Sequence, residues 1–144
     1  MHHGNCLCGS IKYSVDDNLK FIINCHCRYC RRAHGAPFTT LLIMPFLKFE
    51  IIEGKELLST YEVRAINTTR CFCSKCGTRL YNYSPVRGMI SLVVATLDTD
   101  TEIRPIANIN TASKCAWYEM QDELPRFDSV PSKSDFAQLL SREA

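Results

Sequence analysis

No stretch of this chain approaches the roughly 20 consecutive apolar residues that a membrane-spanning helix needs, and its N-terminus has no signal-peptide apolar core. These absences set the expectation of a soluble, cytoplasmic protein with no membrane partner. Charge of one sign is lacking too: 17 Lys and Arg stand against 15 Asp and Glu, a formal net charge of +2. Nucleic-acid binding draws on a basic stripe that neutralises phosphates. Here the only tight basic cluster is Arg28, Arg31 and Arg32, which suits a small anionic ligand better than a polyanion. Internal repeats and low-complexity tracts are absent. Helical patterning is scarce and is convincing only over Ser134 to Arg142, where Ser134 can cap and Phe136, Leu139 and Leu140 sit at helical spacing.

What the chain has in excess is cysteine. Nine in 144 residues do not pair off, and C-x-C and C-x-x-C clusters suit a metal better than a disulfide framework. A reducing cytosol, where thiols stay reduced, strengthens that reading. Metal loading also alters the charge: seven thiolates subtract seven and two Zn²⁺ restore four, so the loaded chain sits near about −1.

The remaining pattern is mostly β. Ile11 to Val15 alternates apolar and polar residues, Asp16-Asp17-Asn18 turns, and Leu19 to Ile23 leads into Cys25-His26-Cys27-Arg28-Tyr29-Cys30. Phe38 to Met44 is apolar and β-branched, and Pro45 stops it. Phe46 to Ile52 and Leu57 to Val63 read as a hairpin around Glu53-Gly54-Lys55-Glu56. Further strands are expected over Asn67 to Cys73, Arg79 to Tyr83, Met89 to Leu97 and Ile103 to Ile109. A single helical turn is expected within Ser113 to Met120. The chain is long enough for one domain burying about two-thirds of its unfolded surface.

Two metal sites follow from the spacing. In an extended segment Cys6 and Cys8 face one side, and Cys73-Ser74-Lys75-Cys76-Gly77 has the form of a zinc knuckle. Together they supply four thiols for a closed site. Such a clip, spanning about 65 residues, would contribute on the order of 10 kcal/mol of apparent binding energy. Cys25, Cys27 and Cys30 form the second site. Three thiols in a tight loop can aim at one tetrahedral ion with bonds of about 2.3 Å and leave a position for water or substrate. Closure by a fourth protein ligand is the alternative: Cys71 leads, because Cys71 and Cys73 share a strand face, with His26 and His34 behind it. Cys115 reads as a buried small apolar residue.

Gly4-Asn5-Cys6-Leu7-Cys8-Gly9-Ser10-Ile11-Lys12-Tyr13, Cys25-His26-Cys27-Arg28-Tyr29-Cys30-Arg31 with Gly35-Ala36-Pro37-Phe38, and Phe72-Cys73-Ser74-Lys75-Cys76-Gly77-Thr78-Arg79-Leu80 resemble the glutathione-dependent formaldehyde-activating (centromere protein V-like) family. Ala95-Thr96-Leu97-Asp98, Trp117-Tyr118-Glu119 and Asp122-Glu123-Leu124-Pro125-Arg126-Phe127 extend the likeness to residue 127. The resemblance implies a mainly β architecture, a β-tent of antiparallel sheets with zinc-binding loops and a short C-terminal helix. Residues 1–127 would form the zinc-binding region and 128–144 an extension of the same domain. It also implies a structural zinc on Cys6, Cys8, Cys73 and Cys76, and a catalytic zinc on Cys25, Cys27 and Cys30. The implied reaction adds glutathione to formaldehyde, a carbon–sulfur lyase run in reverse. Two departures stand out: where relatives often carry His in a Pro-x-x-His-Ile arrangement, this chain has Asn108, which cannot move a proton, and Cys71 is not a marker of the family.

Zinc on three thiolates is better suited to a soft visiting thiol than to generating hydroxide. A glutathione sulfur held there as thiolate would attack an aldehyde carbon, and Arg28, Arg31, Arg32 and Lys75 are candidates to pair with glutathione carboxylates. The alternative function is a non-catalytic zinc-binding module of the same fold, acting in binding or as a chaperone. A third reading is an iron–sulfur protein. The partners expected are a small thiol and a small electrophile.

Overall fold

The structure, a computed structural model, describes residues 1–142. The chain divides into two compact units: Met1–Leu19 with Leu42–Ile103, and Lys20–Leu41 with the chain from Arg104 onward. No helix among the described residues is long and apolar enough to cross a membrane.

In the first unit, β1 (His2–Asn5), β2 (Lys12–Val15) and β5 (Phe49–Glu53) form a three-stranded antiparallel sheet in the order β1-β2-β5. Strands β6 (Leu58–Val63), β7 (Thr68–Cys73), β8 (Arg79–Ser84) and β9 (Met89–Val93) run as an antiparallel meander, each beside its neighbour in sequence. Strand β4 (Thr39–Pro45) carries the chain into this unit. The core between the layers is aromatic. Tyr13 packs on Phe49 at 5.3 Å between ring centroids, and Phe49 on Tyr81 at 4.6 Å. Such pairs contribute about 0.5–1.5 kcal/mol each beyond the area they bury. Tyr13 is fully buried and shares a 2.6 Å hydrogen bond with Thr96 Oγ1, which satisfies its hydroxyl.

The strands expected over Ile11 to Val15, Leu57 to Val63, Asn67 to Cys73 and Arg79 to Tyr83 appear as Lys12–Val15, Leu58–Val63, Thr68–Cys73 and Arg79–Ser84. The expected hairpin of Phe46 to Ile52 with Leu57 to Val63 does not form: β5 pairs with β2 and β6 with β7. Others are shorter than their apolar patterns imply. After Pro45, residues Phe46–Lys48 close a 3-10 turn, so β5 begins at Phe49 and not at Phe46. Strand β9 ends at Val93 because Thr96 Oγ1 donates to the Val93 carbonyl at 2.8 Å, a local bond that competes with the ladder and turns Val94–Thr96 into a 3-10 segment. A strand at His2–Asn5 was not expected.

In the second unit, β3 (Ile22–Cys25) pairs with β10 (Ala107–Ile109), and the pair is parallel, unlike the all-antiparallel expectation. The expected strand from Leu19 starts only at Ile22. Leu19 sits at φ 55°, its N–H held by Asp17 Oδ1 at 2.9 Å in an Asx turn. β10 spans three residues, and just before it Ile106 N–H still donates to the Ile22 carbonyl at 2.8 Å. A helix not foreseen in the sequence, α1 (Arg28–His34), follows Cys27 and stops at Gly35, whose φ of 60° is the left-handed closure glycine permits. The helical turn expected around Trp117 is replaced by a 3-10 turn at Thr111–Ser113, and Trp117 is exposed.

The C-terminal helix, α2 (Lys133–Arg142), begins one residue earlier than expected, and its cap is Ser132 rather than Ser134. Asp135 N–H donates to Ser132 Oγ and Ser132 N–H to Asp135 Oδ2, both at 3.1 Å, a reciprocal capping box. Phe136 packs on Phe21 at 4.6 Å, and Leu139 is buried.

Gly4 of β1 lies opposite Tyr13, and a Cβ there would collide with the Tyr13 hydroxyl and the Thr96 carbonyl. We expect Gly4→Ala to destabilise the protein by about 1–3 kcal/mol through overpacking, measured as a fall in the urea midpoint. An unchanged midpoint would show that this contact is not tight.

Candidate metal centres

The first cysteine cluster is made by two turns of the same design. Gly9 N–H donates to the Cys6 carbonyl at 3.0 Å, and Gly77 N–H to the Cys73 carbonyl at 2.8 Å. In each turn the glycine after the second cysteine adopts φ 76°, a conformation that costs glycine little. The turns face one another through Thr78, whose Oγ1 accepts from Leu7 N–H at 3.0 Å and lies 3.2 Å from Cys76 Sγ. All four sulfurs, of Cys6, Cys8, Cys73 and Cys76, lie within 4.8 Å of one another. Two of the separations are 3.6 Å (Cys6–Cys8) and 3.9 Å (Cys8–Cys73). A tetrahedral ion with Zn–S bonds of about 2.3 Å sets its sulfurs about 3.8 Å apart, so this donor set fits zinc in type, number and spacing.

Backbone and side-chain donors ready these sulfurs for deprotonation. Ile11 N–H donates to Cys6 Sγ at 3.3 Å. The Thr78 hydroxyl lowers the Cys76 thiol to about 5, and Ser10 lowers that of Cys8. Burial instead raises Cys73 to about 11. A cation among these sulfurs would remove the conflict over their protons.

The second cluster is local. Cys25 ends β3, Cys27 caps α1 with its sulfur accepting from Cys30 N–H at 3.3 Å, and Cys30 lies in the first turn of the helix. Their sulfurs lie within 4.8 Å of one another, and among the described residues no other His, Cys, Asp or Glu atom joins the group. Crowding splits the three thiols. Hydrogen bonds from Cys25, then Cys30, pull Cys27 far below the ordinary thiol range, while Cys25 and Cys27 push Cys30 far above it. Cys25 and Cys30 are buried and Cys27 is partly exposed, so the cluster opens to solvent on the Cys27 side.

The candidates for a fourth ligand lie elsewhere. Cys71 sits in β7 opposite Thr60 and Tyr81 and belongs to neither cysteine group. Burial raises its thiol above the ordinary range. His26 is fully buried, with Nε2 2.9 Å from Asn108 Oδ1. An amide oxygen only accepts, so Nε2 carries the proton. His34 is in neither group. Cys115 is buried, as its apolar setting implied.

Asn108, the departure noted in the sequence, is the hub of a buried polar chain. Its Oδ1 also accepts from Asn24 Nδ2 at 3.3 Å, its Nδ2 donates to Asp122 Oδ1 at 2.8 Å, and Thr40 Oγ1 donates to Asn24 Oδ1 at 2.7 Å. Among the basic candidates, Arg28 and Arg32 are exposed one turn apart on α1. Arg31 donates Nη1 to the Ser113 carbonyl at 2.7 Å. Lys75 is exposed on the knuckle, its Nζ 3.3 Å from Ser10 Oγ beside the four-cysteine cluster. Asn110, which the sequence did not mark, places its side-chain N–H 3.4 Å from Cys25 Sγ.

The profile of the family described as glutathione-dependent formaldehyde-activating enzyme matches residues 1–113, which include all seven clustered cysteines. The chain belongs to this family. A Halomonas elongata protein named "Putative glutathione-dependent formaldehyde-activating enzyme" is 26% identical over 87 residues, covering 57% of this chain and 55% of that protein. The chain thus spans about half the length of that curated relative. A solved structure of a Rhodobacter sphaeroides protein matches with a TM-score of 0.59 at 20% identity, over 69% of this chain and 90% of that one. This likeness concerns the fold, which is mainly β in both the expectation and the structure.

Two outcomes follow from this geometry. If each cluster holds one ion, Cys76→Ser and Cys27→Ser each lower the zinc content of freshly reduced protein from two equivalents to one, and Cys76→Ser costs more thermal stability because its site ties together segments 65 residues apart. Equal zinc in all three proteins would contradict the pairing. Asn108→Ala removes the acceptor of the buried Asn24 Nδ2 and His26 Nε2 and is expected to cost about 1–3 kcal/mol; a loss below about 0.5 kcal/mol would show that the network contributes little.

Proposed function

We propose that this protein is a zinc-dependent enzyme joining a low-molecular-weight thiol such as glutathione to formaldehyde or a related small electrophile. Its reaction class would be that of a carbon–sulfur lyase, run toward S-(hydroxymethyl)glutathione. The observation that carries this reading is the three-sulfur cluster with no fourth protein ligand among the described residues. Membership of the family and the name of the Halomonas relative support the choice of thiol and aldehyde.

In this reading Cys6, Cys8, Cys73 and Cys76 hold a structural zinc, and Cys25, Cys27 and Cys30 hold the catalytic one. Bound there, zinc would supply a position at which a visiting thiol is held in its reactive, deprotonated form. The residues around it do the remaining work. The three cysteines close one side of the site with soft, negatively charged donors, which favours sulfur over hard oxygen ligands. Buried Cys25 and Cys30 keep water off that side, and the partly exposed Cys27 faces the approach. Arg28 and Arg32 are free to meet glutathione carboxylates, whereas Arg31 and Lys75 already donate to Ser113 and Ser10. Nine free cysteines fit a reducing, cytoplasmic setting.

A second reading, a zinc module that binds without turnover, draws on Asn108. Both ends of its amide are committed, and an amide shuttles no proton at the place where relatives often carry His.

The test is thermal. Millimolar reduced glutathione should raise the melting temperature of the zinc-loaded protein, and Cys27→Ser should abolish the rise while one zinc remains. No shift would sink the proposal. Turnover must then be measured against the spontaneous combination of glutathione and formaldehyde. A shift with no rate above that background would favour the binding module.

A further inference from the structure

Cys25 ends a strand whose parallel partner stops at Ile109, and the pairing sets the two residues side by side. His26 N–H donates to the Ile109 carbonyl at 3.0 Å, locking the register where the chain leaves both strands. The residue after Ile109 is therefore delivered to the cysteine. That residue, Asn110, turns sharply at φ 56°, ψ 36°, in the left-handed region that asparagine tolerates better than most residues. Its turn is anchored from outside: Thr111 N–H donates to the Phe127 carbonyl at 3.0 Å and Ala112 N–H to the Asp128 carbonyl at 3.3 Å. The result is a side-chain amide 3.4 Å from Cys25 Sγ. A metal-bound thiolate only accepts hydrogen bonds, so the nitrogen end of the amide must face it.

From this geometry we infer that Asn110 is a positioning residue of the three-cysteine site, holding the Cys25 sulfur in place and drawing off part of its charge. The inference rests on the zinc reading proposed above and adds to it a residue outside the ligand set. Backbone strain and hydrogen bond point the same way. A turn at this place could be made more easily with glycine, and asparagine supplies the donor that glycine lacks. Groups that hydrogen-bond to metal ligands commonly change metal affinity by about 10–100-fold when removed.

The experiment follows zinc transfer from the full-length, zinc-loaded protein to a chromogenic chelator. The phase lost in Cys27→Ser identifies the second site. Asn110→Gly keeps the left-handed turn and removes the donor; it should release that zinc about 10-fold faster and leave the other phase unchanged. Asn110→Asp keeps shape and turn but sets a carboxylate against the sulfur, and should release faster still. In the cobalt-loaded protein, the sulfur-to-metal charge-transfer band of the second site should move to lower energy in Asn110→Gly, a change that general loosening does not produce. Release at the wild-type rate, or both phases accelerating together, would overturn the inference and leave the zinc reading standing. A wild-type chain holding only one zinc would overturn both.

Discussion

Sulfurs crowded to within a tetrahedral edge of one another cannot all ionise unless a cation sits among them, and both halves of this protein are arranged around that constraint. The crowding shows as a conflict among protons: Cys27 is pulled far below the ordinary thiol range and Cys30 pushed far above it. The same split separates Cys76 from Cys73. Folding brings these thiols together, and a soft divalent ion would turn their repulsion into coordination.

The two clusters meet the constraint by different means, which gives them different capacities. One gathers its sulfurs from two glycine-closed turns far apart in sequence, so filling its four positions also ties β1 and β2 to the β7–β8 turn. The other takes its sulfurs from six consecutive residues that pass from a strand end into a helix. A run that short provides three ligands from one side. With an ion in each, the first cluster would staple distant segments, and the second would keep a side on which another molecule could be received.

Around the second cluster the protein uses amides in place of proton carriers. Asn24 and Asn108 link His26 Nε2, Thr40 and Asp122 in a largely buried chain, and Asn110 reaches Cys25. Amides donate and accept in fixed directions and do not titrate, so they hold geometry across pH. Chemistry proposed for this site therefore leans on the sulfurs and on the visiting thiol, with the amide network as scaffold.

Each local cysteine group was legible in the residues themselves, because C-x-C, C-x-x-C and Cys25-x-Cys27-x-x-Cys30 bring sulfurs together through a few covalent bonds whatever the rest of the chain does, whereas the meeting of Cys6 and Cys8 with Cys73 and Cys76 depends on the fold. Family membership was legible for the same reason. Most strands were visible in their apolar patterns, but their ends were not: Leu19, Phe46 and Thr96 each break a strand through a turn whose bonds come from particular neighbours. Helix α1 stayed hidden because its cap is a cysteine, read from sequence as a ligand only. The exclusion of Cys71 from the second cluster, the burial of His26 and the arrival of Asn110 at Cys25 were decided by tertiary structure alone. Each depends on how strands distant in sequence pair, and only the packing of the whole core sets that register.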